Sequence, residues 1–315
     1  MYMSTIERLL TSSIAALILE VAATPKPGNV HRYHSYEDMG LEHFIVSSSA
    51  SIWCFRKLLI ATLNSGLRRE TYVPGIGETI LCCVRDSKKW HRGGNVNLGT
   101  STILSILLPS ILLTEIIHNN VTMEDLSFIA KSVVKNTTVD DAVKYYEAIR
   151  TASPKYLGKV DNAPIPDVYD ENFEHKIRSN KVTLYDVLKY ASSEDIVSRT
   201  CINGLKEIIE GYNYLKTFFR RYGDINSAIV LTYLKLLSKY DDFIVLRKHG
   251  REVSSYVKNR ASEIAKLIEE DFDKGISALK EFDNELFIRK INPGGIADIT
   301  AASITLALFM NEVKV

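Results

Sequence analysis

Apolar residues return at helical spacing along most of this chain. From Ile6 they recur at Leu9, Leu10, Ile14, Leu17 and Val21, the period of a helix with one buried face. The same pattern predicts helices over residues 41–63, 76–86, 98–117, 123–134 and 139–151. Helices resume at Leu184, where Ile202, Leu205, Ile209, Tyr212 and Phe219 mark one seam and Ile225, Ile229 and Leu236 another. Residues 253–268 and 276–288 read as charged amphipathic helices, and 297–309, apolar on nearly every side, as a core helix. Between Pro154 and Lys181 the periodicity lapses into a Pro-, Asp- and Asn-rich stretch that includes Asp161 to Asp167, suited to a lid, a binding loop or a solvated excursion. Strand-like alternation of any length is absent, as are an internal repeat and a strong linker. The expectation is an all-α fold, one multi-helix domain over residues 1–315 with a central pocket formed by loops at helix ends.

One helix needs a membrane test. Residues 98–117 are largely apolar, but Thr100, Ser101, Thr102, Ser105, Pro109 and Glu115 interrupt the run, which favours a buried core helix kinked at Pro109 over a membrane span. The first helix carries Glu7 and Arg8 where a secretion signal needs an apolar run. Cys54, Cys82, Cys83 and Cys201 form no C-x-x-C pair and are expected as reduced, buried thiols in a cytoplasmic protein. Lys+Arg 39 against Asp+Glu 38 leaves a net charge of +1, which argues against a broad nucleic-acid surface while allowing local anion pockets. A homo-oligomer is compatible with the sequence.

Four stretches interrupt the helices with glycine and polar residues. In the first, Thr24-Pro25-Lys26-Pro27-Gly28-Asn29-Val30-His31-Arg32, two prolines fix φ on either side of Lys26 and Gly28 permits a sharp turn. Glu20, fourteen positions after Ile6, falls on the edge of the apolar stripe before it. A carboxylate there is costly to bury unless paired with a cation, a metal or hydrogen-bond donors, and Lys26, His31 and Arg32 are expected nearby. The second, Gly93-Gly94-Asn95-Val96-Asn97-Leu98-Gly99, lets backbone amides approach a ligand at a helix start, although it lacks the Gly-Lys-Ser/Thr of a P-loop. The third runs from Asp241-Asp242 to Arg247-Lys248-His249-Gly250, two carboxylates ahead of a cationic cluster. The fourth, Asn292-Pro293-Gly294-Gly295-Ile296-Ala297-Asp298, opens the last helix, with Asp298 expected in the first turn as a dipole partner or cation ligand. Each has an ordinary alternative: a helix stop, a turn, a solvated run or a cap.

Order and content together resemble the triphosphoribosyl-dephospho-CoA synthase family. Its Glu-Val followed by Ser/Thr-Pro-Lys-Pro-Gly-x-Val-x-Arg corresponds to Glu20-Val21 and Thr24 to Arg32. Its Gly-x-Asn-Thr-x-x-Gly is met at Gly93, Asn95 and Gly99, with Val96 in place of Thr and Asn97-Leu98 in place of the usual His-Lys. Asp241 and Arg247 keep the spacing of the family's Asp-Thr-Asn-x-x-x-Arg-Gly-Gly, while Asp242, Phe243, Lys248 and His249 depart from it. Phe282-Asp283, Arg289 and Asn292 to Asp298 resemble the family's Phe-Asp, Arg and Ser-Pro-Gly-Gly-Ser-Ala-Asp in register. The departures look like those of its archaeal branch.

The resemblance implies a coenzyme-biosynthesis transferase that joins the triphosphoribosyl part of ATP to the 2′-hydroxyl of dephospho-CoA, or a related acceptor, and releases adenine. Such chemistry needs cations or Mg²⁺ around the triphosphate, a carboxylate near C1′ or the incoming hydroxyl, and a donor for the departing base. By residue type and motif position, Lys26, Arg32, Arg247 and Lys248, with Gly93, Asn97 and Gly99, are expected to bind phosphates. His31, His249 and Asn95 are candidates for hydrogen bonds to base or sugar, and Asn292, Gly294 and Gly295 for shaping the substrate site. Glu20, Asp241 and Asp298 are the expected catalytic carboxylates, and these with Asp242 the expected Mg²⁺ ligands. The alternatives are a related transferase of pterin-type coenzyme biosynthesis and a non-catalytic nucleotide-binding helical protein.

Overall fold

The computed structural model of the chain describes residues 2–154, 157, 158 and 163–314. Its regular structure is helical, and among the described residues the extended pairings are two isolated bridges, His31 with His34 and Tyr36 with Met39. The chain divides into two compact units, each assembled from two stretches: residues 1–14 with 46–206, and residues 15–45 with 207–315. The expected span of 1–315 as one domain thus contains two units whose boundary is no single point in the sequence. The first helix, α1 (Tyr2–Ala22), and the second, α2 (Leu41–Ala50), each contribute residues to both.

Unit one continues with α3 (Ile52–Leu67), α4 (Ile76–Trp90), α5 (Leu98–His118), α6 (Met123–Lys135), α7 (Val139–Ala152), α8 (Phe173–Ser179), α9 (Leu184–Ala191) and α10 (Ile196–Ile202). The single helix predicted over 41–63 is two, parted at Ser51, whose Oγ donates to the Ser47 carbonyl at 2.9 Å. Helix α5 is its apolar core and packs against α3, α4 and α6. Its length and composition would suffice to cross a membrane, yet Leu98 and Thr100 through Thr114 are buried within the unit. Three of its hydroxyls are satisfied within the helix: Thr102 donates to Leu98 O at 2.8 Å, Ser110 to Ile106 O at 2.6 Å and Thr114 to Ser110 O at 2.7 Å, while Ser105 Oγ is buried with no hydrogen-bond partner among the described residues. The helix runs through Pro109 as one element.

Helices α7 and α9 begin with reciprocal caps, Thr138 with Asp141 and Thr183 with Asp186. Asp141 also accepts the Gly77 N–H of α4 at 2.8 Å, fastening α4 to α7. The expected long loop is partly helical, since α8 lies inside it. Asp161 and Asn162, the start of its Asp-Asn-Pro-rich segment, lie outside the described residues, while the stretch from Pro166 to Phe173 is tied to α7. Tyr146 donates to Pro166 O at 2.6 Å, and Arg150 to Val168 O at 2.9 Å while covering the Phe173 ring. Four reduced thiols were expected, and two are found: Cys54 of α3 and Cys82 of α4 form a disulfide, leaving Cys83 and Cys201 as buried thiols. Adjacent helices bring the two Cα atoms to 5.9 Å, a proximity no C-x-x-C spacing announces.

Unit two holds α11 (Lys206–Tyr222), α12 (Ile225–Lys239), α13 (Phe243–Glu270), α14 (Phe272–Ile288) and α15 (Gly294–Phe309). Helix α12 packs on α13 and α15, and α13 on α14. At Gly250, φ of 83° and ψ of 172° break α13 into a short segment carrying Arg247, Lys248 and His249 and a long one that starts near the predicted Val253. Helix α15 is buried almost throughout, as its uniform apolar pattern requires.

Candidate active site

In unit two, the Thr24–Arg32 loop follows the last turn of α1, and its shape is set by partners far along the chain. Thr24 N–H donates to Asn226 Oδ1 at 3.0 Å, and Asn226 Nδ2 returns a bond to Thr24 O at 2.8 Å. Tyr233, fully buried on α12, donates its hydroxyl to Pro27 O at 3.0 Å. Tyr36 donates to Gly28 O at 2.6 Å. Gly28 adopts φ of +70°, and a Cβ there would stand 2.1 Å from Ile291 O, so no other residue fits without displacing backbone.

Two buried charged groups of this segment answer each other. Glu20 is 5% exposed and Lys26 0%, and the Lys26 ammonium donates directly to Glu20 Oε1. The stripe position of Glu20 called for a cation, a metal or hydrogen-bond donors, and of the three side chains expected near it Lys26 is the one that pairs with it. Burial pushes the Glu20 carboxyl up and the Lys26 ammonium down, each opposed by the partner's charge. Enclosed this way, Lys26 is a partner for Glu20 inside the protein, whereas the sequence reading set it on a phosphate.

Asp283 of α14 is the second anchor. Its Oδ1 accepts the Gly28 N–H at 3.1 Å, and its Oδ2 lies 2.9 Å from His31 Nε2 and 3.3 Å from His34 Nδ1. His31 Nδ1 accepts the Tyr33 N–H at 3.2 Å, so the ring's proton belongs on Nε2, donated to Asp283. Asn29, also buried, donates to Asn292 Oδ1 at 3.2 Å and Pro293 O at 3.4 Å, tying the first motif to the fourth.

The remaining carboxylates differ sharply in surroundings. Asp242, 2% exposed, starts two helices: Oδ1 accepts from Ile244 and Val245 N–H at 2.9 and 3.1 Å, and Oδ2 from Ile296 N–H at 3.0 Å. Asp241 is half exposed, held by Lys258 at 2.8 Å and Ser254 at 3.2 Å. Asp298 is half-buried and, because α15 begins at Gly294, lies in the second turn where the first was expected. Gly294 and Gly295 open that helix. Arg247 and Lys248 are exposed, Arg247 over the Phe243 ring, while His249 Nε2 lies 3.2 Å from Lys290 O. Arg32 is exposed and donates to Ala22 O at 2.7 Å.

The glycine-rich motif belongs to unit one. Lys88 donates to Gly93 O at 2.8 Å, Asn97 Nδ2 to Cys83 O at 3.0 Å, and Asn95 Oδ1 accepts the N–H groups of Asn97 and Leu98 at 3.4 and 3.1 Å, leading into α5 just before Gly99. Three of the four motifs therefore meet in unit two by direct hydrogen bonds. A central pocket is not among the features shown by the described residues. Sequence reasoning assigned no role to Asp283, His34, Tyr233 or Asn226. The Phe282-Asp283 match and the His31-x-x-His34 spacing were the signals available for the first two; the others are set by tertiary packing alone.

A model of the ATP:dephospho-CoA triphosphoribosyl transferase family matches residues 6–314. The chain is 24% identical over 301 residues to a 2-(5''-triphosphoribosyl)-3'-dephosphocoenzyme-A synthase of Escherichia fergusonii, covering 93% of this chain and 88% of that protein. It is 33% identical over 87 residues to the Klebsiella pneumoniae protein of that name, covering 28% of this chain and 29% of that one. The solved structure of a protein described as a triphosphoribosyl-dephospho-CoA synthase from Archaeoglobus fulgidus superposes with a TM-score of 0.60 at 27% identity, over 83% of this chain and 96% of that one.

Proposed function

The chain belongs to the ATP:dephospho-CoA triphosphoribosyl transferase family, and from that premise we propose that it transfers the triphosphoribosyl group of ATP to the 2′-hydroxyl of dephospho-CoA or a close analogue. The bond between C1′ and adenine breaks, the acceptor oxygen bonds to C1′, and the hydroxyl proton leaves through a carboxylate to accompany adenine. The triphosphate stays intact. The observation that carries this reading is the buried link between motifs at opposite ends of the sequence: Gly28 and His31 to Asp283, and Asn29 to Asn292 and Pro293.

The environments divide the roles. Asp241 and Asp298 keep solvent-facing surface and are the carboxylates proposed to take the hydroxyl proton or to hold Mg²⁺, which would neutralise part of the triphosphate charge. Asp242 does not fit as a metal ligand, because both its oxygens are engaged by backbone N–H groups. Arg32, Arg247 and Lys248 are the exposed cations proposed for the phosphates, with His249 beside them for sugar or base. Gly93, Asn95, Asn97 and Gly99 are proposed to present unit one's backbone to an anion. Glu20 and Lys26 position the loop. Asn292, Gly294 and Gly295 shape the start of α15. As a transferase of coenzyme biosynthesis, the enzyme is proposed to act in the cytoplasm.

Chromatography of a mixture of protein, ATP, Mg²⁺ and dephospho-CoA tests the proposal. Free adenine should accumulate in step with triphosphoribosyl-dephospho-CoA, and Asp298→Asn should lower that rate at least about 100-fold with helix content unchanged. ATP binding without adenine release for any dephospho-CoA-like acceptor would leave only a nucleotide-binding protein.

A further inference from the structure

The turn from His31 to His34 sets two imidazoles against Asp283, and the proposed transfer gives neither ring a chemical step. His31 and His34 exchange reciprocal backbone hydrogen bonds, both 3.1 Å, which close a four-residue turn and set the two imidazoles side by side with centroids 4.5 Å apart. His34 is further fixed by stacking on Phe287, centroids 4.2 Å apart and planes within 11°. Asp283 reaches both rings, with Oδ2 at 2.9 Å from His31 Nε2 and 3.3 Å from His34 Nδ1. His34 Nδ1 is enclosed, yet it has no partner in hydrogen-bonding geometry among the described residues. Two imidazole nitrogens and a carboxylate oxygen thus lie within 4.8 Å of one another.

We propose that His31 Nε2, His34 Nδ1 and Asp283 Oδ2 form a binding site for a divalent transition-metal ion of the Zn²⁺ type. Ligands at about 2.0–2.2 Å around a tetrahedral ion stand about 3.3 Å apart, close to the separations from Asp283 to each ring. Imidazole nitrogens suit Zn²⁺, Fe²⁺, Co²⁺ or Ni²⁺, whereas Mg²⁺ prefers an all-oxygen shell, so this site is separate from any Mg²⁺ that accompanies ATP. The second oxygen of Asp283 is oriented by the Gly28 N–H, the kind of outer support that metal-ligating carboxylates use. Filling the site moves the His31 proton from Nε2 to Nδ1 and gives up the 3.2 Å bond from Tyr33 N–H, a loss that the metal–ligand bonds offset. Three protein ligands leave one tetrahedral position for water or a substrate oxygen.

The full chain, stripped with chelator under non-reducing conditions, is titrated with Co²⁺ and Zn²⁺ and followed by visible absorption and metal analysis. One ion per chain is expected, with tetrahedral Co²⁺ bands displaced by Zn²⁺ and not by millimolar Mg²⁺. His34→Phe, which keeps a ring against Phe287, should weaken binding at least about 10-fold while remaining folded, and Asp283→Asn should do the same. Cys54, Cys82 and Asp86 also bring ligand atoms within 4.8 Å of one another, and Cys54→Ser should leave binding unchanged, which separates the two groups. Absence of stoichiometric binding by the native chain, or equal binding by folded His34→Phe, overturns the proposal.

Discussion

Unit one and unit two bury different chemistry. Among the described residues, the almost fully enclosed charged or imidazole side chains Glu20, Lys26, His31, Glu207, Asp242 and Asp283 lie in unit two and Asp141 in unit one, where burial also pushes the carboxyl of the half-buried Asp195 up. Unit one's interior is mainly hydrocarbon, with three α5 hydroxyls returned to their own helix, and a disulfide ties two of its helices. A buried ionisable group costs several kcal/mol unless its partner is in place, so such groups persist together where the pairing itself is needed. The difference marks unit two as the half in which partners from distant segments must be held in register, and those partners are motif residues.

The largest expected effect comes from breaking a charge pair. Lys26→Met leaves Glu20 buried without a cation and should destabilise by about 3–5 kcal/mol in denaturant unfolding, while Lys26→Met combined with Glu20→Gln should recover much of that loss. A loss under about 1 kcal/mol for the single variant would erase the contrast between the units. Next, replacing Cys54 and Cys82 by Ser removes a crosslink between residues 28 apart and should cost about 3 kcal/mol. That loss should be seen in unfolding midpoints with metal binding at His31, His34 and Asp283 unchanged. Gly28→Ala should then cost about 2 kcal/mol or more, because the turn needs positive φ and Ile291 O leaves no room for a Cβ.

The smallest effect is a surface control within unit two. Asp224 caps α12, and hydrogen bonds from the Ser227 side chain and backbone, then from the Asn226 N–H, hold its carboxyl below the usual carboxylate range. A lowered folded-state value stabilises above the unfolded value of about 3.9 and is lost as pH falls through the folded one. Asp224→Ala should therefore cost about 1 kcal/mol at neutral pH, with the penalty fading below about pH 4. A penalty that grew on acidification would contradict the sign.

How far the sequence foretold this molecule depends on which contacts are local. Helices α5 and α15 were legible because apolar residues on every side admit only burial or a membrane. Glu20's need for a cation, a metal or hydrogen-bond donors followed from its place on the α1 stripe, and Lys26, six residues on, was one of three side chains near enough to name. The break at Ser51 was hidden because apolar spacing continues across it. The Cys54–Cys82 bond, the Asp242 double cap and the Asp283 anchor were not legible, since each depends on how helices dock. The two units escaped notice for the same reason: α1 and α2 each serve both, so no composition shift marks the boundary.

Hydrogen exchange of the full chain with and without ATP and Mg²⁺ tests the central claim most directly. Protection should rise at the amides of Asn29 to His34, Arg247 to Gly250 and Gly294 to Asp298 in unit two. Saturating ATP that leaves all three segments of unit two exchanging as in the free protein would contradict the account.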